Sequence, residues 1–215
     1  MADPEEPEDP PYPCPACGAR LFGWTAARHP IDGSKIVLDR CEDDGLVVTR
    51  APEPPDLGIE LAEFAATGGR IEAPNRESFQ GGIGGAQWAG LEPDRRRLHL
   101  SPRAAKLLLR TRGIEVLESS TPPSFRSYAA MLQTMVNAFT LHDNFFRNAR
   151  AGRLPRRTLK QRLGFALDAI VTVLVAIPLS IVALPTELLG SLVGRGGRMV
   201  LETAVDPGPR ETGPG

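Results

Sequence analysis

The sequence predicts an α/β remnant: a small ribbon-like β module, then a partial sheet of about three strands with covering helices, and an apolar helical hairpin near the end. Three observations predict it. Cys14-x-x-Cys17 and Cys41-x-x-Asp44 form paired turns that bracket a short segment. Helix-like and strand-like runs follow one another from residue 57 to residue 120. Residues 169–186 carry no charge at all.

At 215 residues the chain is long enough for one domain or one domain with a small appendage. Its 22 glycines and 21 prolines are partly explained by the ends. Residues 1–13 hold five acids, five prolines and no base, and 206–215 are similarly poor in apolar groups. Neither stretch buries enough apolar surface to offset the entropy of ordering, so a disordered leader over 1–12 and a disordered tail over 206–215 are expected. No signal peptide opens the sequence, and three cysteines make no disulfide framework, which suits reduced thiols in a bacterial-type cytoplasmic setting.

The module over 13–50 begins at Pro13-Cys14-Pro15-Ala16-Cys17-Gly18 and closes with Cys41-Glu42-Asp43-Asp44-Gly45. Two such turns separated by 23 residues have zinc-ribbon spacing. Zinc takes four ligands in a tetrahedron, and each turn supplies two. The expected metal ligands are therefore Cys14, Cys17, Cys41 and Asp44, with His29 as a substitute for the carboxylate. Two states stay open, a weakened three-thiolate site and a metal-free ribbon.

After a linker at 51–56, the pattern predicts a helix over 57–66 and a strand over about 69–73. Residues 75–97 read as loop. The glycines at 81–85 are not followed by a Lys-Ser/Thr pair, so they do not make a phosphate cradle. Ser101-Pro102 opens a helix that Gly113 ends, and 114–120 reads as a strand. Apolar residues at 125, 128, 132, 135 and 139, continuing through His142 to Phe146, predict a long helix over 125–146 whose stripe packs on the core. The Arg95–Arg97 run reads as a solvated face able to meet phosphate.

Seven Lys/Arg and no acid lie between Arg147 and Leu163, directly before the uncharged run. Such charge suits an anionic membrane surface on the cytoplasmic side. The run is about 27 Å long as a helix, and Pro178 lies near its centre. A single span, a re-entrant hairpin and a buried helix pair all fit, and Ile170, Val171, Val173, Leu174, Val175, Ile177, Leu179, Ile181, Val182 and Leu184 are the expected membrane residues. No nucleic-acid partner is expected, because the ribbon has few bases and follows an acidic leader.

These residues together resemble a family. CPACG and then RCEDDGLVVTRAPEPP are similar to the start of zinc-ribbon-containing class I S-adenosylmethionine-dependent methyltransferases, whose pattern is approximately RC-x-x-CGLV-x-T-x-P-x-P. The chain departs from it at Asp44. Gly68–Asn75, Gly85-Ala86-Gln87-Trp88, His99-Leu100-Ser101-Pro102, Arg110–Val116, Gln133 with Asn137, and Gly194–Leu201 resemble later landmarks in the same order. The resemblance covers residues 12–55 and 57–205 and implies a C-terminal half of that domain, with Met199–Val205 as a last antiparallel strand beside Ile114–Ser120. It also implies that about a hundred residues holding the nucleotide site are missing at the 51–56 linker. Val37-Leu38-Asp39 does not replace them, because Arg40, Cys41 and Glu42 stand where glycine-rich backbone is needed.

The resemblance therefore implies a methyltransferase-like protein that binds no S-adenosylmethionine by itself. It would be non-catalytic and membrane-associated, and act as an interaction subunit. The alternatives are one part of a split methyltransferase acting on sugar or cell-surface glycan precursors, and a zinc-ribbon binding module. His99 is the sole catalytic candidate, set against a packing role. An incomplete sheet leaves an open edge to be covered by the ribbon, a helix, another copy or a partner protein. The hairpin returns the last strand to the side of the membrane it left.

Overall fold

The computed structural model describes residues 10, 12–29, 32–56, 65–66 and 69–204. In chain order these hold strands β1 (Leu21–Arg28), β2 (Lys35–Cys41), β3 (Val47–Thr49), β4 (Ala65–Ala66) and β5 (Arg70–Pro74). Helix α1 (Phe79–Gly84), β6 (Leu98–His99), helix α2 (Pro102–Thr111) and β7 (Val116–Ser120) follow. The chain continues through α3 (Phe125–Asn137), α4 (Phe145–Arg150), α5 (Leu159–Leu192) and β8 (Arg198–Thr203). The expected leader, apart from Pro10 and Tyr12, falls outside the described residues, as do the helix over 57–64 and the tail.

The architecture is mixed α/β with two small antiparallel sheets. The first has the order β1-β2-β3-β6 and the second β4-β5-β8-β7. Both differ from a free-standing ribbon beside a three-stranded sheet. The ribbon gains a fourth strand from far along the chain, with Val47 opposite His99. In the second sheet, Ala65–Ala66 pairs with β5, so residues expected to end a helix form an edge strand. The expected neighbourhood of the last strand is present: β8 pairs antiparallel with β7, Ser120 opposite Val200, and with β5, Ala73 opposite Met199.

One core joins the sheets. Leu21, Cys41, Leu46 and Val48 of the ribbon pack with Ala73, Met199 and Leu201 of the second sheet and with Ala105 and Leu108 of α2. Tyr12, assigned by composition to the leader, is 7% exposed and belongs to this core. Helix α2 starts where expected: the Ser101 hydroxyl accepts from the Ala104 N–H at 2.9 Å, and the same oxygen donates to the Asp44 carbonyl at 2.5 Å.

Residues 79–87 are not loop but a helical turn followed by a 3₁₀ turn over Gly85–Gln87. Ser78 caps it, accepting from the Gly81 N–H at 3.0 Å. A Cβ on Gly84 would stand 2.5 Å from the Thr134 methyl, so this glycine permits close contact between α1 and α3 rather than phosphate binding.

The long helix expected over 125–146 is broken. Asn137 ends α3 because its fully buried amide is diverted to the turn. Its oxygen accepts from the Asn144 N–H at 2.8 Å, and its nitrogen donates to the Gln87 carbonyl at 2.7 Å. The buried face is also the other one. Ser127, Met131 and Thr134 face inward, whereas Phe125 is 80% exposed and Phe139 and Phe146 are also exposed. The stripe is exposed at its ends and only half-buried at Tyr128, Leu132 and Met135.

Nor is the apolar segment a hairpin. It is one continuous helix, with both Pro178 and Pro185 inside it. A proline removes one N–H and crowds the preceding turn, but here hydrogen bonds to Asp168 before Pro178 and to Glu187 after it tie the helix down. Thr158 and Gln161 close the N-terminus as a capping box, at 3.3 and 3.1 Å. The segment is not a buried helix pair either, since only 11% of its most apolar 18-residue window is buried.

Candidate metal centre and apolar face

Cys14, Cys17, Cys41 and Asp44 come together with all four ligand atoms within 4.8 Å of one another. Matching turns place them. The Gly18 N–H donates to the Cys14 carbonyl at 2.8 Å and the Gly45 N–H to the Cys41 carbonyl at 3.1 Å, with both glycines at positive φ. The Glu77 carboxylate lies directly against Gly45.

The Cys17 and Cys41 sulfurs are 3.5 Å apart, and the Cys14 thiol donates to Asp44 Oδ2 at 3.2 Å. Donor atoms of a tetrahedral thiolate site are about 3.8 Å apart, so the cluster can hold a metal ion with little movement. Burial pushes the Cys17 thiol up to about 11, and burial raises Cys14 further. Burial also works against the Asp44 carboxylate, but the Leu46 N–H at 2.9 Å and the surrounding thiols hold it below the usual carboxylate range. With the Cys14 and Cys17 thiols held protonated beside the Asp44 anion, the site must release protons to bind a cation.

His29 does not join the cluster; it pairs with Asp32 at 2.9 Å in the β1–β2 turn. Asp44→Cys restores a fourth thiolate, and we expect it to raise cobalt(II) affinity at least about tenfold while Asp44→Ala lowers it. Cobalt titration monitored by the thiolate charge-transfer band checks this.

His99 is 3% exposed in β6 and lines none of the described cavities. The Thr49 hydroxyl donates to the Arg96 carbonyl, so His99 Nε2 donates to Thr49 at 3.0 Å and Nδ1 has no partner. This is a packed neutral ring. Burial, aided by Arg96 and Arg76, lowers its pKa to about 3. The unfolded ring binds a proton near 6.5 and the folded ring does not, so its stability contribution is complete above 6.5 and is lost as pH falls towards 3. The expected slope is up to about 1.4 kcal/mol per pH unit. Urea unfolding between pH 6.5 and 5 should show this loss in the wild type and a smaller one in His99→Gln.

The Arg95–Arg97 run is not simply solvated. Arg95 and Arg96 pair with buried Glu92 at 3.2 and 3.6 Å, and Arg97 donates to the Pro54 carbonyl at 3.1 Å.

The apolar face is built inside out. On α5 the residues turned inward are polar or small: Asp168, Ala183, Glu187 and Gly190 are buried. Asp168 accepts from the Leu141 N–H at 2.7 Å, the His142 N–H at 3.0 Å and His142 Nδ1 at 2.7 Å. Nineteen residues on, Glu187 accepts from Gln80 Nε2 at 2.6 Å and from the Gly197 N–H at 2.9 Å. The outward face is aliphatic. Of the expected membrane residues, Ile170, Val173, Leu174, Ile177, Ile181, Val182 and Leu184 are exposed, with Ile181 at 73%, while Val171, Val175 and Leu179 are half-buried. The sequence signal for this reversal is the pair of acids, Asp168 and Glu187, that flank the uncharged run.

By length and composition, α5 is apolar enough to cross a membrane. Comparisons with protein-family models, curated proteins and solved structures give no match to this chain.

Proposed function

We propose that the protein is a non-catalytic interaction subunit that lies on the anionic, cytoplasmic face of a membrane, with α5 parallel to the surface. The inside-out pattern of α5 carries this reading. Apolar groups face outward along a helix of about 51 Å, and solvent exposure of such a face is costly. Asp168 and Glu187 tie both ends of the apolar window to the same folded body, which favours a helix in the plane over one that crosses. The basic run between Arg147 and Leu163 adjoins that helix and complements acidic lipid.

The ribbon is a structural metal site in this reading, and zinc is the ion we assign, from three thiolates and a carboxylate. The resemblance to zinc-ribbon methyltransferases draws support from β8 lying antiparallel between β5 and β7. Few residues separate β3 from β5, too few for a nucleotide-binding half. A split methyltransferase is the second reading, favoured by the two-residue edge strand β4, beside which another chain's strands would pair. Calorimetric titration with S-adenosylmethionine separates the two: no saturable binding by the lone chain is expected, and saturable binding overturns the non-catalytic assignment.

Vesicle sedimentation of the full-length protein tests the membrane reading. Binding to phosphatidylglycerol vesicles, weaker binding to phosphatidylcholine and a loss of about thirtyfold on Arg157→Gln with Lys160→Gln are expected, at about 1 kcal/mol per charge. A stable dimer in solution that ignores both vesicle types would mean that a second copy covers α5, and would overturn it.

A further inference from the structure

We infer that the cavity between α3, α4 and the start of β8 is a binding site for a phosphate ester, recognised by arginines and by the indole N–H of Trp88. The cavity holds about 390 Å³, the size of a small-molecule site. Four guanidiniums line it, from Arg96, Arg126, Arg147 and Arg198, against the single carboxylate of Glu92. That carboxylate is already shared by Arg95 at 3.2 Å, Arg96 at 3.6 Å and Arg147 at 3.0 Å. Arg198 reaches Glu72 at 3.5 Å, and Arg126 has no hydrogen bond or ion pair among the described residues. Burial holds the Arg147 and Arg198 guanidiniums below their ordinary value, and Arg126 adds to the repulsion at Arg198. The lining is thus short of negative charge.

Two buried polar atoms point to a ligand independently of that charge. Trp88 is 2% exposed and its Nε1 donor has no partner; Gln80 is fully buried and its Oε1 acceptor has none. Both residues line the cavity. An indole N–H and several guanidiniums offer donors to an anion with three or four oxygens, and phosphate meets guanidinium geometry in paired hydrogen bonds. Ala129, Ala130 and Phe146 form an apolar wall for the ester's carbon portion. The shared chemistry is a phosphate ester, whether free in solution or at the head of a lipid.

Isothermal titration of the full-length protein, without vesicles, separates the two sources. The probes are glycerol 3-phosphate and monomeric dioctanoyl phosphatidate. Saturable binding of both marks a site for soluble esters and headgroups alike, and binding of phosphatidate alone marks a lipid site. In either case Arg126→Ala, on an exposed first turn of α3, should weaken binding at least about tenfold. Trp88→Phe should weaken it too; the smaller ring leaves space in the core, so the free protein should melt a few degrees lower, and binding is measured well below that transition. No saturable binding of either probe, or wild-type affinity in both variants, would overturn the assignment. Neither result depends on whether α5 meets a bilayer.

Discussion

Ile177→Asp combined with Ile181→Asp is expected to lower affinity for phosphatidylglycerol vesicles about a hundredfold. Both side chains point outward from α5, at 72% and 73% exposure. Each contributes at least about 1.5 kcal/mol when buried in the lipid interface, and about 1.4 kcal/mol corresponds to tenfold. The added charges also meet acidic headgroups with the wrong sign. Solution stability should change by no more than about 1 kcal/mol, since the substitutions are exposed and cost only helix propensity. Sedimentation at equal lipid concentration measures the first quantity and urea unfolding the second. Unchanged vesicle binding would show that another surface makes the contact.

The second large effect is on stability. Glu187→Ala removes the acceptor of two buried donors, Gln80 Nε2 at 2.6 Å and the Gly197 N–H at 2.9 Å. An unmatched buried donor costs about 1–3 kcal/mol, and although Gln80 keeps the Ser127 carbonyl at 2.7 Å, the Gly197 N–H has no other acceptor among the described residues. A loss of about 2–4 kcal/mol is expected from urea unfolding, with a smaller loss for Glu187→Gln, which retains one acceptor. Because the bond joins α5 to the turn before β8, the amides of α5 should also exchange faster with deuterium in the alanine variant. If they exchange at the wild-type rate, Glu187 is not what holds the helix down.

The parts of this fold legible in the sequence are those set by short-range chemistry. The knuckles are read from Cys-x-x-Cys spacing because a few backbone hydrogen bonds around Gly18 and Gly45 fix each turn. The start of α2 is read from Ser101-Pro102 for the same reason. The strands at 70–74 and 116–120 follow from local pattern, and β8 was expected from resemblance. What was not legible depends on which side of an element meets the interior. The Phe125, Tyr128 and Leu132 spacing gives the helical period correctly, but period alone does not say that the neighbouring row of Ser127, Met131 and Thr134 is the one fully buried. The same ambiguity hid the role of Asp168 and Glu187. Proline counting suggested a reversal at Pro178, whereas distant donors from Leu141, His142, Gln80 and Gly197 keep the helix whole. The arginine cavity was hidden because Arg96, Arg126, Arg147 and Arg198 lie on four separate segments.

Cys14 and Cys41 sit in one packed interior with Met199 and Leu201, and Ser101 links the second knuckle to α2. No seam separates the cysteine turns from the remainder, so they should not melt alone. Scanning calorimetry should give a single endotherm, and a chelator that strips a bound cation should move that whole endotherm down rather than split it. Loss of the ion would then loosen α5 as well, since Glu77 lies against Gly45 of the second knuckle and accepts from Arg195 just beyond that helix.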